Sequence, residues 1–328
     1  MLPIGIFTSL VGLIVFALAP SYIWALFAVF FIGIGSSIFH PEGSRVAHMA
    51  AGAKRGLAQS IFQVGGNFGQ SMAPVLTALI FLPFGQKGVL SFSGFAFIGM
   101  VVLFFVSVWY KNHQPIRTPR DKQAHHQERN KREAFVHKRI VAAMVLLIFI
   151  IFARSWYSTC ISNFYQFYLI HDYGLSIRAA QIFIFIFMIS GVVGTFLGGP
   201  LADRFGKKTV ILSSFIGAVP LTVMLPYLPL YLIAPVFLLI GLIITSSFSV
   251  TVIYAQELMP GRLGMVSGLT IGFAFGMGAI GAVLFGNLAD LFSIRFVMIL
   301  CSLFPLVGLL SALLPGDMKI RRWNKGMN

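Results

Sequence analysis

Ten stretches of this 328-residue chain are each apolar over about the 20 residues that a helix needs to cross a hydrocarbon layer. They fall near residues 3–19, 22–40, 57–81, 89–110, 138–169, 179–200, 209–226, 229–254, 263–287 and 294–314. A backbone inside lipid must satisfy its own hydrogen bonds, so such a pattern permits helices and little else. Composition agrees: 58% of residues are hydrophobic and only 10% charged, against roughly a quarter charged in soluble domains. The net charge of +15 does not point to nucleic acid, because the basic residues sit in short blocks between apolar runs. Cys160 and Cys301 both lie inside apolar segments, so no disulfide framework is expected. The expected fold is an all-α integral membrane protein.

The connections are mostly short, which makes neighbouring helices antiparallel. The exception, 111–137, is charged and lacks an apolar pattern, so it reads as a linker between a bundle at 1–110 and another at 138–328. Of the 24 Lys and Arg residues, 20 fall on one side of the expected membrane. That side, which includes both termini and the linker, is expected to be cytoplasmic, in an inner membrane.

The spans divide four and six, and internal similarity suggests why. "RGLAQSIFQVGGNFG" at 55–69 aligns with "RLGMVSGLTIGFAFG" at 262–276, an offset of 207 residues, and "FFIGIG" at 30–35 aligns with "LLIGLI" at 238–243 at nearly the same offset. Two related halves of six helices are expected, pseudo-symmetric about the membrane normal.

Between the sixth and seventh spans lies "GGPLADRFGKK". Its residues Gly199, Asp203, Arg204, Gly206, Lys207 and Lys208 resemble the loop signature of the major facilitator superfamily. Glycines there would allow close helix approach and unusual dihedrals, and Asp203 would face the positive end of a neighbouring helix, the one starting near Gly56–Gln59. A plain charged turn is the alternative. Subtracting the repeat offset puts a first copy of this signature at −8 to 1, so the chain is expected to start where that loop ends and to lack two preceding helices. A second stretch, "FHPEGSRVAHMA" followed by "RGLAQSIFQVGGNFGQSMAP", with "RSW" at 154–156, resembles the fosmidomycin-resistance group of bacterial exporters. The resemblance implies proton-coupled efflux of small anionic or amphiphilic compounds. Import or exchange of an organic phosphate or carboxylate is the alternative, and a truncated, non-transporting product another. The expected partners are a small-molecule substrate, protons and lipid, with no cofactor, no metal, no nucleic acid and no enzymatic activity; a monomer is expected.

Three groups of polar residues stand out in the spans. Gln59, Gln63, Asn67 and Gln70 are spaced 4, 4 and 3, within an ~80° stripe of one helix face. They line a wet cavity or glue helices together. Glu42 and Arg45 share a face, with His40 nearby; they carry a coupling proton or form a structural ion pair at a gate. Arg154 follows an uninterrupted apolar run from Ile140 to Ala153 and is followed on its helix by Asn163. A guanidinium near the bilayer centre costs at least ~2.5–3.5 kcal/mol. It suits a bidentate grip on phosphonate, phosphate or carboxylate, or else forms a buried pair with a carboxylate.

Overall fold

The computed structural model describes residues 2–52, 54–76, 79–80, 82–113, 129–260 and 263–325. Among them all regular structure is helical: α1 (Leu2–Leu18), α2 (Tyr22–Ala50), α3 (Arg55–Leu76), α4 (Ser91–His113), α5 (Arg129–Tyr173), α6 (Ile177–Phe205), α7 (Lys207–Met224), α8 (Leu230–Leu258), α9 (Leu263–Leu291), α10 (Ile294–Ser302), α11 (Phe304–Gly308) and α12 (Asp317–Lys325), with short helical turns between some of them.

Among the described residues eight helices are long and apolar enough to cross a membrane, against the ten expected. The other two expected spans fall short for different reasons. Helix α1 has only 17 residues. Helix α3 has 22, but its Gln59, Gln63, Asn67 and Gln70 and its glycines dilute the apolar content. The last expected span is one apolar run, Ile294–Leu313, built from α10, α11 and a 3-10 turn at Leu309–Leu313. Pro305 lacks the N–H that a continuous helix would use there.

Several helices outrun their apolar stretches. Helix α2 continues to Ala50 with Pro41 inside it, and α5 begins at Arg129. Helical hydrogen bonds do not require apolar side chains, so the apolar run marks the hydrocarbon crossing and not the end of the helix. Of the expected linker, 114–128 lie outside the described residues.

The chain divides into two compact units, residues 1–46 with 73–135, and residues 47–72 with 136–328. In the first, α1 packs on α4 and on the 3-10 turn Gly85–Leu90. Gln86 Nε2 donates to the carbonyls of Phe16 and Ala19, closing one end. Large apolar side chains such as Phe30, Phe95 and Phe105 are exposed, as hydrocarbon-facing residues are.

The second unit is built on α8, which packs along α6 and α7. Its core contains Tyr157, Tyr165, Phe215, Phe237, Tyr254 and Phe285, all fully buried. At one end of α5 the hydroxyls of Tyr165, Tyr168 and Tyr173 donate to the carbonyls of Leu225, Pro226 and Leu228, tying α5 to the turn between α7 and α8. Cys160 and Cys301 are buried free thiols.

Candidate functional site

Within the second unit, α3, α5, α6, α8 and α9 surround a cavity of about 410 Å³. Its walls mix apolar side chains (Phe187, Met188, Phe248 and Phe275) with a polar set. Arg154, Ser155, Ser158, Thr159, Ser162 and Asn163 contribute from α5, Asn67 and Gln70 from α3, and Thr245 from α8. Helical geometry explains the α5 set: positions 154, 155, 158, 159, 162 and 163 fall within about 180° of one face. The other half of the circumference carries Ile150, Tyr157, Cys160 and Ile161 into the core.

Arg154 is 4% exposed. Its Nη1 donates a long hydrogen bond, 3.4 Å, to Thr251 Oγ1, and Cζ lies 4.6 Å from the centre of the Phe248 ring. The ring face attracts a cation but accepts little of its hydrogen-bonding capacity. No carboxylate among the described residues forms an ion pair with Arg154. Four of the guanidinium's five N–H donors thus have no protein acceptor in the described site. The cavity beside them holds space for a small ligand.

Asn67 both lines the cavity and joins α3 to α6, since Nδ2 donates to Thr195 Oγ1 over 2.8 Å. Cavity lining and interhelical adhesion, the two readings of the amide stripe, coexist at this residue. The stripe does not act as one: Asn67 and Gln70 line the cavity, whereas Gln59 and Gln63 do not. They are buried at 1% and 4% exposure. One turn away, Ser60 Oγ bonds Ser249 Oγ at 2.8 Å, joining α3 to α8. The hydroxyls Ser155, Ser158, Thr159 and Ser162 were not singled out from the sequence. Their signal was present in the same spacing, but single hydroxyls are common in membrane helices and lack the cost that marks a charge.

His40, Glu42 and Arg45 belong to the first unit and do not line this cavity. Arg45 Nη1 lies 3.6 Å from Glu42 Oε2, and its guanidinium stacks 5.5 Å from the Tyr110 ring centre. His40 Nδ1 is 3.0 Å from Ser36 Oγ.

The signature loop, between α6 and α7, ties these two helices to α3, α8 and α12 of the second unit. Asp203 sits at the end of α6 and accepts from the backbone N–H of Gly56 to Oδ1 (3.1 Å) and of Leu57 to Oδ2 (3.2 Å). A carboxylate thereby satisfies two of the orphan donors at the start of α3, where the helix dipole is positive. Gly199, one turn earlier, allows this approach: an added Cβ would overlap the Gly56 carbonyl and Ser60 Oγ. Gly206 turns the chain with φ +91°. After it, the N–H of Lys207 donates to Asp317 Oδ2 (2.7 Å), and Lys207 Nζ forms a buried ion pair with Glu257 Oε1 at 3.1 Å. Lys208 Nζ donates to the Ala312 carbonyl over 2.7 Å. Arg204 is exposed and lies against Phe205.

The Major Facilitator Superfamily model matches residues 1–282 and, in a second match, 147–326. The chain belongs to the Major Facilitator Superfamily. It is a multi-pass integral membrane protein, a secondary-active transporter of a small molecule and not an enzyme. It is 51% identical over 323 residues to YfnC of Bacillus subtilis, an uncharacterized MFS-type transporter, covering 98% of this chain and 78% of that one. It is 44% identical over 321 residues to the fosmidomycin resistance protein of Escherichia coli, covering 96% of this chain and 76% of that one. Among solved structures, the E. coli fucose:proton symporter FucP superposes with a TM-score of 0.71 at 15% identity, over 96% of this chain and 83% of FucP. That likeness concerns the fold alone.

Proposed function

We propose that this facilitator exports small anionic or amphiphilic compounds, with fosmidomycin-type phosphonates as the reference class, in exchange for protons. The observation that carries the reading is Arg154: a buried, permanently charged group on a cavity wall, with no ion-pair partner among the described residues. Leaving it so is costly, and a bound phosphonate or carboxylate offsets the cost. Asn67, Gln70, Asn163 and the α5 hydroxyls supply neutral donors and acceptors for the rest of the substrate. The similarity to the fosmidomycin resistance protein supports the substrate class.

In this reading α1 and α3 also cross the membrane, giving ten spans in two pseudo-symmetric bundles, 1–110 and 138–328. The second, offset match of the family model supports the repeat. The protein works as a monomer in the inner membrane, with both termini cytoplasmic. Glu42 and Arg45 form a gate pair, with His40 nearby, whose protonation couples to transport.

Inverted membrane vesicles test the proposal. Labelled fosmidomycin is expected to accumulate inside them when the lumen is made acidic, and a protonophore should abolish the accumulation. Uptake that ignores the gradient and persists in Arg154→Ala would overturn it.

A further inference from the structure

From the anchoring of α12 we infer that this helix binds the anionic phospholipids of the leaflet on its side of the membrane. The helix starts four residues beyond Leu313, where the last apolar span ends. Four steps of chain reach about 14 Å at most, so α12 lies at headgroup level. Its position is fixed by several bonds. Asp317 accepts from the N–H groups of Lys207 and Lys208, Tyr254 Oη donates to the Pro315 carbonyl over 2.7 Å, and Lys208 Nζ holds the Ala312 carbonyl. Ile320 is 1% exposed, and Trp323 packs against the core of the unit.

That anchoring decides which face is left outward. At 100° per residue, Met318, Arg321 and Arg322 fall within an arc of about 100°, roughly opposite Ile320 and Trp323. Met318 is 76% exposed, and Lys319, Arg321 and Arg322 are exposed. Asp317, the one acidic residue of the helix, is already engaged by backbone donors. Nearby, Leu313 and Phe205 are 71% and 55% exposed and suit the acyl region, while Arg204 extends the basic patch. A positive helix held at headgroup level, with apolar residues below it, is complementary to a negatively charged lipid surface. The contact would bear on transport through Asp317, which joins α12 to the start of α7.

The test uses the full-length protein purified in detergent and passed into phosphatidylcholine nanodiscs with zero to 30% phosphatidylglycerol. Native mass spectrometry then counts retained lipids. The wild type should retain phosphatidylglycerol preferentially, and Lys319→Gln/Arg321→Gln/Arg322→Gln should lower that preference about a hundredfold, from about fivefold per charge. The charge-matched control Lys54→Gln/Lys111→Gln/Lys138→Gln should lower it far less. Arg321→Lys/Arg322→Lys, which preserves charge, should retain most of it and serves if the triple variant does not fold. Equal losses in the α12 variant and the control, or no loss in either, would overturn the proposal. So would equally tight binding of free glycerol phosphate in detergent, which would make the patch a site for a soluble anion.

Discussion

A guanidinium that is 4% exposed must be matched by something. For Arg154 the protein supplies a ring face and one long hydrogen bond. Removing it strands no carboxylate among the described residues. Arg154→Ala is therefore expected to reach the membrane at wild-type abundance while losing affinity for anionic ligands. The loss should be ten- to a hundredfold, from the ~1.5–3 kcal/mol of a charged hydrogen bond. Arg154→Lys keeps the charge but not the planar fork and should bind at an intermediate strength. Ligand binding by calorimetry and abundance by immunoblot check both; a collapse in the abundance of the Ala variant would instead indicate a buried partner. Gly199→Ala belongs to the same scale. Its Cβ would overlap the α3 backbone, and about 1–3 kcal/mol of destabilisation should appear as a lower Tm in detergent.

At the scale of elements, two helix starts are held by carboxylates from other helices. Asp203 caps α3 and Asp317 caps α7, each by accepting from two successive N–H groups. Asp203→Asn keeps an acceptor but loses the charge, so it should cost about 0.3–1 kcal/mol and slow transport without preventing insertion. Transport assays at matched protein levels would show this, and an unchanged rate would mean the cap has no part in transport. The Lys207–Glu257 pair is buried at 8% and 15% side-chain exposure. Glu257→Gln should destabilise by about 3–5 kcal/mol, since it leaves an ammonium buried, while Lys207→Met/Glu257→Met should recover most of that. Thermal unfolding of the three proteins would check the cycle.

At the scale of the whole molecule, the placement of basic residues sets the orientation in the membrane. Lys138 and Arg178, near opposite ends of the α5–α6 hairpin, are expected on opposite sides. A Lys138→Cys variant should resist an impermeant maleimide added to whole cells, whereas Arg178→Cys should react; the native Cys160 and Cys301 are buried and contribute little background. Reaction of both from outside would overturn the topology.

The sequence by itself determined the class of fold, the family and the most expensive residue of the site. Each of these is a matter of hydrophobic cost or local spacing, and such costs are incurred wherever the chain goes. A buried arginine is costly in any packing, and an Asp-Arg-x-Gly turn is local. Even the Asp203 contact with the start of α3 was expected from the signature, because a carboxylate is favoured at the positive end of a helix. Only the tertiary structure decided which polar residues share a cavity. It separated Asn67 and Gln70 from Gln59 and Gln63 on one helix face, brought four small hydroxyls of α5 beside Arg154, and assigned Lys207 to Glu257 and Asp317. Helical periodicity gives the direction of a side chain about its own axis, but the partner it meets depends on where other helices cross, and that crossing is set by packing along their full lengths.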